Sequence, residues 1–151
     1  MKAFKCPECG GSVRPYREAG RMRRYYTMRL EVPESIAVPT CDKCKEEWID
    51  KKTGDAIDEA LDKVYRASLR EKARNAVAAI SPHVKQFELE EMLGVSVGYL
   101  SKVKAGTKDV SPRFVALLSL IANSPSARLS ELASVWGPEG VTRMMGRKVG
   151  K

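Results

Sequence analysis

One histidine, three phenylalanines and four cysteines in 151 residues leave this chain with little of the equipment common in enzymes and secreted proteins. His83 stands beside Pro82 and reads as a solvated loop side chain. No nucleophile, base and acid can be grouped around a single imidazole of this kind. Gly10-Gly11 and Gly94 do not form a phosphate-binding fingerprint. The carboxylates are scattered among basic residues on helix faces, the pattern of a solvated surface. The expectation is a protein that is not an enzyme. Nor is there an apolar run long enough to span a bilayer. Met1-Lys2-Ala3-Phe4 has no apolar stretch behind it of the secretory kind, so the expected location is the cytoplasm. Internal repeats and low-complexity tracts are absent as well.

The four cysteines form two pairs, Cys6-Pro7-Glu8-Cys9 and Cys41-Asp42-Lys43-Cys44. A C-x2-C loop places two thiolates on one side of a tight turn. Two such loops complete a tetrahedral sulfur site, the geometry Zn²⁺ accepts most readily. Lys5, Lys43 and Lys45 flank the pairs and favour the thiolate form. Two disulfides suit an oxidising compartment better than the one expected here, and redox use of C-x-x-C wants a βαβ context that is not seen. The reading is one structural zinc on Cys6, Cys9, Cys41 and Cys44, a closed site with no open coordination position. The gap from Gly10 to Thr40 is longer than ordinary zinc-ribbon spacing, so it must form a hairpin of its own. Ser12–Arg17 and Met22–Val32 read as strands, with Glu18–Arg21 as a turn between them. Arg21, Arg23, Arg24 and Arg29 interleave with Tyr25 and Tyr26. Such a stretch either grips nucleic acid or forms the solvated face of a hairpin whose tyrosines pack locally.

The net charge of +8, with a pI near 9.4, suits a polyanionic partner such as nucleic acid. The fold class expected is mainly α with a small β zinc-binding module: a zinc-ribbon-like N-terminal domain and an all-helical C-terminal one. The divisions are 1–50 for the zinc module, 51–68 for a linker helix, 69–123 for a DNA-binding domain, and 124–151 for a last helix and basic tail. From about Asp55 to Ile80, a stripe of Ile57, Leu61, Val64, Leu69, Ala73, Val77 and Ile80 reads as helix, capped by Thr53 or Asp55. It is either one helix or two with a break near Ser68.

Gln86–Leu93 reads as a short helix, Gly94 as a tight turn, and Val97–Lys104 as a second helix with Ser96 as N-cap and Leu100 and Val103 inward. Gly106 ends that helix in a left-handed cap. Ser111-Pro112 opens a further helix with the stripe Phe114, Leu117, Leu118 and Ile121. Two short helices about a glycine turn make a helix-turn-helix, whose second helix enters the major groove. Ser124-Pro125 begins a last helix with Leu129, Leu132, Val135 and Trp136 on its apolar side, stopped by Gly137-Pro138. Its Trp136 is expected to be buried against the helix-turn-helix or across a dimer interface. Arg143, Met144, Met145, Arg147, Lys148 and Lys151 follow as a basic tail.

The run Val84 to Gly106 resembles the core of the Xre/Cro-type helix-turn-helix family, with matches at Gln86, Leu89, Leu93-Gly94-Val95-Ser96, Tyr99, Ser101, Val103 and Gly106. Together with the cysteine pairs, residues 4 to 123 resemble MqsA-type antitoxins, which join a YgiT-type zinc finger to an Xre-type domain. The resemblance implies that Gln86 touches the DNA backbone or an adjacent base, and that Val97, Gly98 and Lys102 point into the major groove. Lys102 would donate to a guanine. Ser96 belongs to the same DNA-facing segment, and Tyr99, Lys104, Thr107 and Lys108 would contact phosphates. Gly98 stands where MqsA-type members carry Asn. Glu90 stands where the family favours a small residue, so the helix crossing is expected to splay or the carboxylate to reach solvent. Lys104 replaces a Glu that commonly pairs with an Arg of the first helix.

The implied function is a sequence-specific transcriptional regulator that binds a palindromic duplex-DNA operator as a homodimer. It would repress its own operon and use the zinc module to bind a toxin protein. A solitary Xre-type regulator without a toxin and a thiol- or zinc-responsive sensor are the alternatives.

Overall fold

The structure, a computed structural model, describes residues 3–137. Pro138 and the tail expected from Arg143 to Lys151 lie outside the described residues. In chain order the elements are β1 (Phe4–Lys5), β2 (Ser12–Tyr16), β3 (Met22–Tyr25), β4 (Met28–Glu31), β5 (Val38–Cys41), α1 (Lys51–Ile80), α2 (Gln86–Met92), α3 (Tyr99–Lys104), α4 (Pro112–Asn123) and α5 (Pro125–Val135). The chain divides into two compact units, Met1–Tyr65 and Arg66–Lys151, with the boundary inside α1. A small sheet region holding all four cysteines is thus followed by a helical part.

In the first unit β1, β2 and β5 form an antiparallel sheet in the order β1-β2-β5, with Val13 opposite Cys41 and Tyr16 opposite Val38. The hairpin is not where the sequence placed it. Met22–Val32 is not one strand facing Ser12–Arg17 across Glu18–Arg21; it folds on itself as β3–β4, with Tyr25 opposite Met28. Tyr26 takes a positive φ of 47° in the two-residue loop, a conformation uncommon for residues other than glycine. Its ring lies 4.8 Å from Tyr25 and 5.4 Å from Tyr65 of α1, centroid to centroid. The tyrosines therefore pack locally. Arg21 is buried, its Nε 3.0 Å from Glu47 Oε1 and its Nη2 3.3 Å from Glu18. Arg23 also pairs with Glu47.

Helix α1 begins at Lys51, where the linker-helix division was drawn and four residues before the apolar stripe suggested, and runs unbroken through Ser68. Its first turn is capped by Asp50, whose Oδ1 accepts from the Thr53 amide at 2.8 Å, and neither Thr53 nor Asp55 plays that part. Hydrogen bonds from Thr53 hold the Asp50 carboxyl below its usual range. Ile57, Leu61 and Tyr65 are buried in the first unit, and Leu69, Ala73, Ala76, Val77 and Ile80 in the second. Tyr65 takes the inward position expected for Val64, which is 41% exposed. The buried spacing of three and four is what a 3.6-residue repeat requires.

The second unit buries Leu89, Met92, Leu100, Val103, Val110, Val115, Leu118, Ile121, Leu129 and Ala133. Ser111 caps α4 as read, its Oγ accepting from Phe114 N at 3.2 Å, with Pro112 at the first position. The inward stripe of α4 is Val115, Leu118 and Ile121; Phe114 is half-buried and Leu117 exposed, so the stripe expected from the sequence was rotated by part of a turn. On α5 only Leu129 and Ala133 are fully inward. Trp136 stays 54% exposed against the expectation of burial, yet its indole N–H donates to the Met92 carbonyl at 3.0 Å, closing the C-terminal end of α2.

Glu90 corrects the sequence reading most sharply. Its carboxylate does not reach water: the residue is 1% exposed. Oε2 accepts from the Gly98 amide at 3.0 Å and Oε1 from the Leu100 amide at 2.9 Å and from Gln86 Nε2 at 3.0 Å. The N-cap of α3 is Gly98, at φ 81°, and not Ser96; a carboxylate delivered from α2 does the capping. The N–H groups of a helix start have no partners within the helix, and an anion satisfies both them and the dipole. Replacing Glu90 by Ala would leave two amides at the α2–α3 junction without acceptors. The expected loss is about 2–5 kcal/mol, with Glu90→Gln costing less because one acceptor oxygen remains. Chemical denaturation of the three proteins measures both differences.

Candidate metal centre and candidate nucleic-acid surface

The two cysteine pairs sit on matching backbone knuckles. Gly10 N donates to Cys6 O at 2.8 Å, and Lys45 N donates to Cys41 O at 3.2 Å. Cys6 N donates to Gly11 O and Cys41 N to Glu46 O, at 2.8 and 2.9 Å. In both knuckles the residue after the second cysteine has positive φ, 68° at Gly10 and 63° at Lys45. Glycine adopts that conformation freely, whereas lysine does so at a cost. Gly11 is needed for another reason: a Cβ there would lie 2.8 Å from both Cys41 Sγ and Asp42 Oδ1. The knuckles meet because β2 and β5 pair alongside Cys41, and because Asp42 Oδ1 accepts from Ser12 N at 2.8 Å.

The four sulfurs lie within 4.8 Å of one another, with Cys6 and Cys44 at 3.7 Å and Cys9 and Cys41 at 3.4 Å. A tetrahedron of sulfurs about 2.3 Å from a central ion has edges of about 3.8 Å. The donor set therefore fits one metal ion with four thiolate ligands. Cys6 and Cys41 are buried with Val13, and Trp48 packs against the three, while Cys9 and Cys44 face outward. Burial pushes the Cys41 thiol up, but backbone N–H groups of Cys44 and Lys43 and the neighbouring thiols outweigh it and hold it at about 7. At Cys44 a backbone N–H from Glu46 pulls down, yet sharing with Cys9, burial, and the Cys41 and Cys6 sulfurs push it up to about 12. A cation among the four sulfurs would offset the mutual repulsion of their thiolates.

In the helical unit, the residues singled out from the sequence gather on α3 and its two flanks. Ser96, Val97, Lys102, Lys104, Thr107 and Lys108 are exposed, Val97 by 88%. Gly98 is half-buried, and a Cβ on it would meet nothing within 4 Å. Space is therefore free there, and only the left-handed backbone restricts the residue, a restriction asparagine tolerates better than most. Tyr99 is half-buried and sets its ring edge-on to Phe114 at 5.4 Å. Gln86 is drawn inward: its Nε2 donates to Ser101 Oγ at 2.8 Å as well as to Glu90, and its Oε1 accepts from Lys104 Nζ at 3.2 Å. The Thr107 hydroxyl turns back onto the Lys102 carbonyl at 3.3 Å.

Two features escaped sequence reasoning. Ser101, quoted only as a family match, joins α3 to α2 through Gln86. Arg66 and Arg70 of α1 reach Asp109, in the loop after α3, at 3.2 and 2.9 Å. The second had a visible signal, since Arg66, Arg70 and Arg74 recur every four residues on one helix face. No family model matches the chain, and no curated protein matches it.

Two expectations follow for the metal centre. Each thiol that is protonated in the free protein must lose its proton to become a ligand. The sign is therefore fixed: a thiol such as Cys44, with its pKa above solution pH, makes metal affinity fall as pH falls. Apparent affinity, measured by competition with a chromogenic chelator, is expected to rise about tenfold per pH unit per proton released between pH 6 and 8. A flat profile would exclude a thiolate site. Separately, Lys45→Gly removes the left-handed strain of the second knuckle and is expected to raise stability by about 1 kcal/mol, read as the midpoint of thermal unfolding of the metal-loaded protein.

Proposed function

We propose that this protein is a sequence-specific DNA-binding regulator in which a zinc-held N-terminal module accompanies a helix-turn-helix domain. One observation carries the reading. Arg66–Lys151 holds 14 of the 27 Lys and Arg but only 7 of the 19 Asp and Glu, so the net charge of +8 belongs almost wholly to the helical unit. Within that unit, α2 and α3 are joined by a short turn with Gly94 at φ 65°, and α3 and its flanks present Val97, Lys102, Lys104 and Lys108 to solvent. A short helix held rigidly on its neighbour and studded with exposed cations is what major-groove reading requires. In this reading α3 is the recognition helix. Lys102 donates to a guanine edge, Val97 meets a thymine methyl, and Gly98 leaves one base unread. Ser96, Tyr99, Lys104 and Lys108 position the module on phosphates. Gln86 and Thr107 act first within the protein, as a brace between helices and as a cap. Zinc is the ion proposed for the four thiolates, since a closed four-sulfur tetrahedron is its ordinary structural site.

The resemblance to MqsA-type antitoxins extends the proposal. The chain would bind a palindromic operator as a homodimer, with half-sites about 34 Å apart or a multiple of it, repress its own operon, and hold a toxin protein on the zinc module. A solitary regulator is the second reading, and the helical unit's charge favours it equally, because DNA binding alone accounts for that charge. Affinity purification from the native cell separates the two. A stoichiometric partner that is lost in Cys41→Ser/Cys44→Ser supports the antitoxin reading, and a zinc-loaded homodimer carrying only DNA supports the solitary one. If zinc removal leaves DNA affinity intact, the zinc is structural and not a sensor.

Lys102→Ala tests the core of the proposal. On the operator selected by the wild-type protein from a random duplex library, the substitution is expected to cost about 1–3 kcal/mol and to relax the preference at one base pair. An unchanged base preference would remove Lys102 from the reading set.

A further inference from the structure

The C-terminal half of α1 carries Arg66, Arg70 and Arg74, one helical turn apart. This row lies beside the loop that follows α3. Arg66 Nη1 and Arg70 Nη1 both reach the Asp109 carboxylate, at 3.2 and 2.9 Å. One turn further on, Arg74 stands so close to the left-handed Gly106 that a Cβ on that glycine would lie 3.3 Å from its Nη2. Both ends of the loop 106–109 are thus flanked by guanidinium groups, and the loop itself contributes exposed Lys108. Arg74 is exposed, and Arg70 is 36% exposed at its side chain.

This arrangement is more than one ion pair needs. A single exposed carboxylate, 58% accessible, faces two arginines, with a third cation on the same row and a lysine beside it. An exposed Arg–Asp pair contributes little to stability. What it does is hold long side chains in place. A guanidinium so held presents its donor fork in the geometry that suits a phosphate as well as a carboxylate.

We propose that Arg70 and Arg74 of α1, together with Lys108, form a second phosphate-gripping row for duplex DNA, and that Asp109 occupies Arg70 in the free protein and gives it up to a backbone phosphate on binding. The proposal rests on the DNA-binding reading and adds to it two arginines of α1, Arg70 and Arg74, beside the Lys108 already assigned a phosphate contact. Phosphate contacts of this kind hold the protein on the duplex and carry no sequence information. The exchange of a carboxylate for a phosphate oxygen leaves the arginine paired in both states, and it releases counterions from the DNA.

The test is the salt dependence of binding by the full-length, metal-loaded protein, to its selected operator and to a random duplex of the same length. For B-DNA each phosphate neutralised contributes about 0.9 to the slope of log affinity against log salt. Arg70→Gln and Arg74→Gln are each expected to lower the slope by about that amount and to weaken both duplexes alike. Arg74→Lys is expected to keep the slope, because it keeps the charge. Asp109→Asn is expected to tighten binding to both duplexes. The gain is expected to vanish when Arg70→Gln is present in the same chain, whereas a general effect of the lost negative charge would persist there. Variants that retain wild-type helix content and an unchanged slope would overturn the proposal, as would Asp109→Asn binding no tighter than wild type. If the wild-type protein binds neither duplex at low salt, the DNA-binding reading itself fails, an outcome distinct from failure of the arginine row alone.

Discussion

Four sulfurs from two distant pairs converge within 4.8 Å of one another, close enough to share one metal ion. The first unit builds its small sheet around that convergence. Its two sheets are small, and its buried set beside the sulfurs is only Cys6, Val13 and Cys41 with Trp48 packed against them. That cluster by itself adds little burial, the rest of the unit's buried apolar set being Leu30, Val32, Val38, Ile57, Leu61 and Tyr65. The matching knuckles answer the problem by directing backbone hydrogen bonds around each cysteine pair, so that the sheet register and the sulfur geometry specify each other. Val13 opposite Cys41 in the β2–β5 ladder is the point where the two meet.

The second unit meets the same kind of constraint with the opposite bookkeeping of charge. There the buried anion is Glu90, and its partners are amide N–H groups. A six-residue helix such as α3 does not persist in water without support. Leu100 and Val103 pin its inner face, and the carboxylate from α2 satisfies its first turn. One side chain thereby fixes both the start of α3 and its angle to α2. The exposed cations on α3 inherit their positions from that junction, and Gln86 and Ser101 brace it from the outside.

Much of this was legible in the sequence. The C-x2-C pairs announced a convergent sulfur site, since each loop places two thiols on one side of a tight turn. Helix α1 and the helices about Gly94 were visible from apolar spacing and from turn and cap residues. What failed did so for identifiable reasons. The strand from Met22 was drawn too long because Tyr26 looks like a strand residue; only its packing on Tyr25 and Tyr65 reveals a turn there. Ser96 is a good N-cap by type, but capping depends on which acceptor actually reaches the amides. Glu90 reaches them from ten residues before Leu100, a tertiary event that local rules do not contain. The inward face of α4 was misjudged because Phe114, Val115, Leu117 and Leu118 are all apolar, so hydrophobicity alone leaves the helix free to rotate. The Arg66–Arg70–Arg74 row could be counted in the sequence, but its neighbour Asp109 could not.

The chain has two tryptophans, and each belongs to a different unit. Trp48 packs beside the sulfur cluster, with the ring of Phe4 edge-on at 6.1 Å. Trp136 is half in water, with its indole N–H tied to the end of α2. Indole emission shifts with the polarity and hydrogen bonding around the ring, so the protein contains two independent optical reporters. In a variant that keeps only Trp48, fluorescence follows the state of the sulfur module. In one that keeps only Trp136, it follows the helical unit. Whether the two halves melt together or one after the other can therefore be watched without attaching any label.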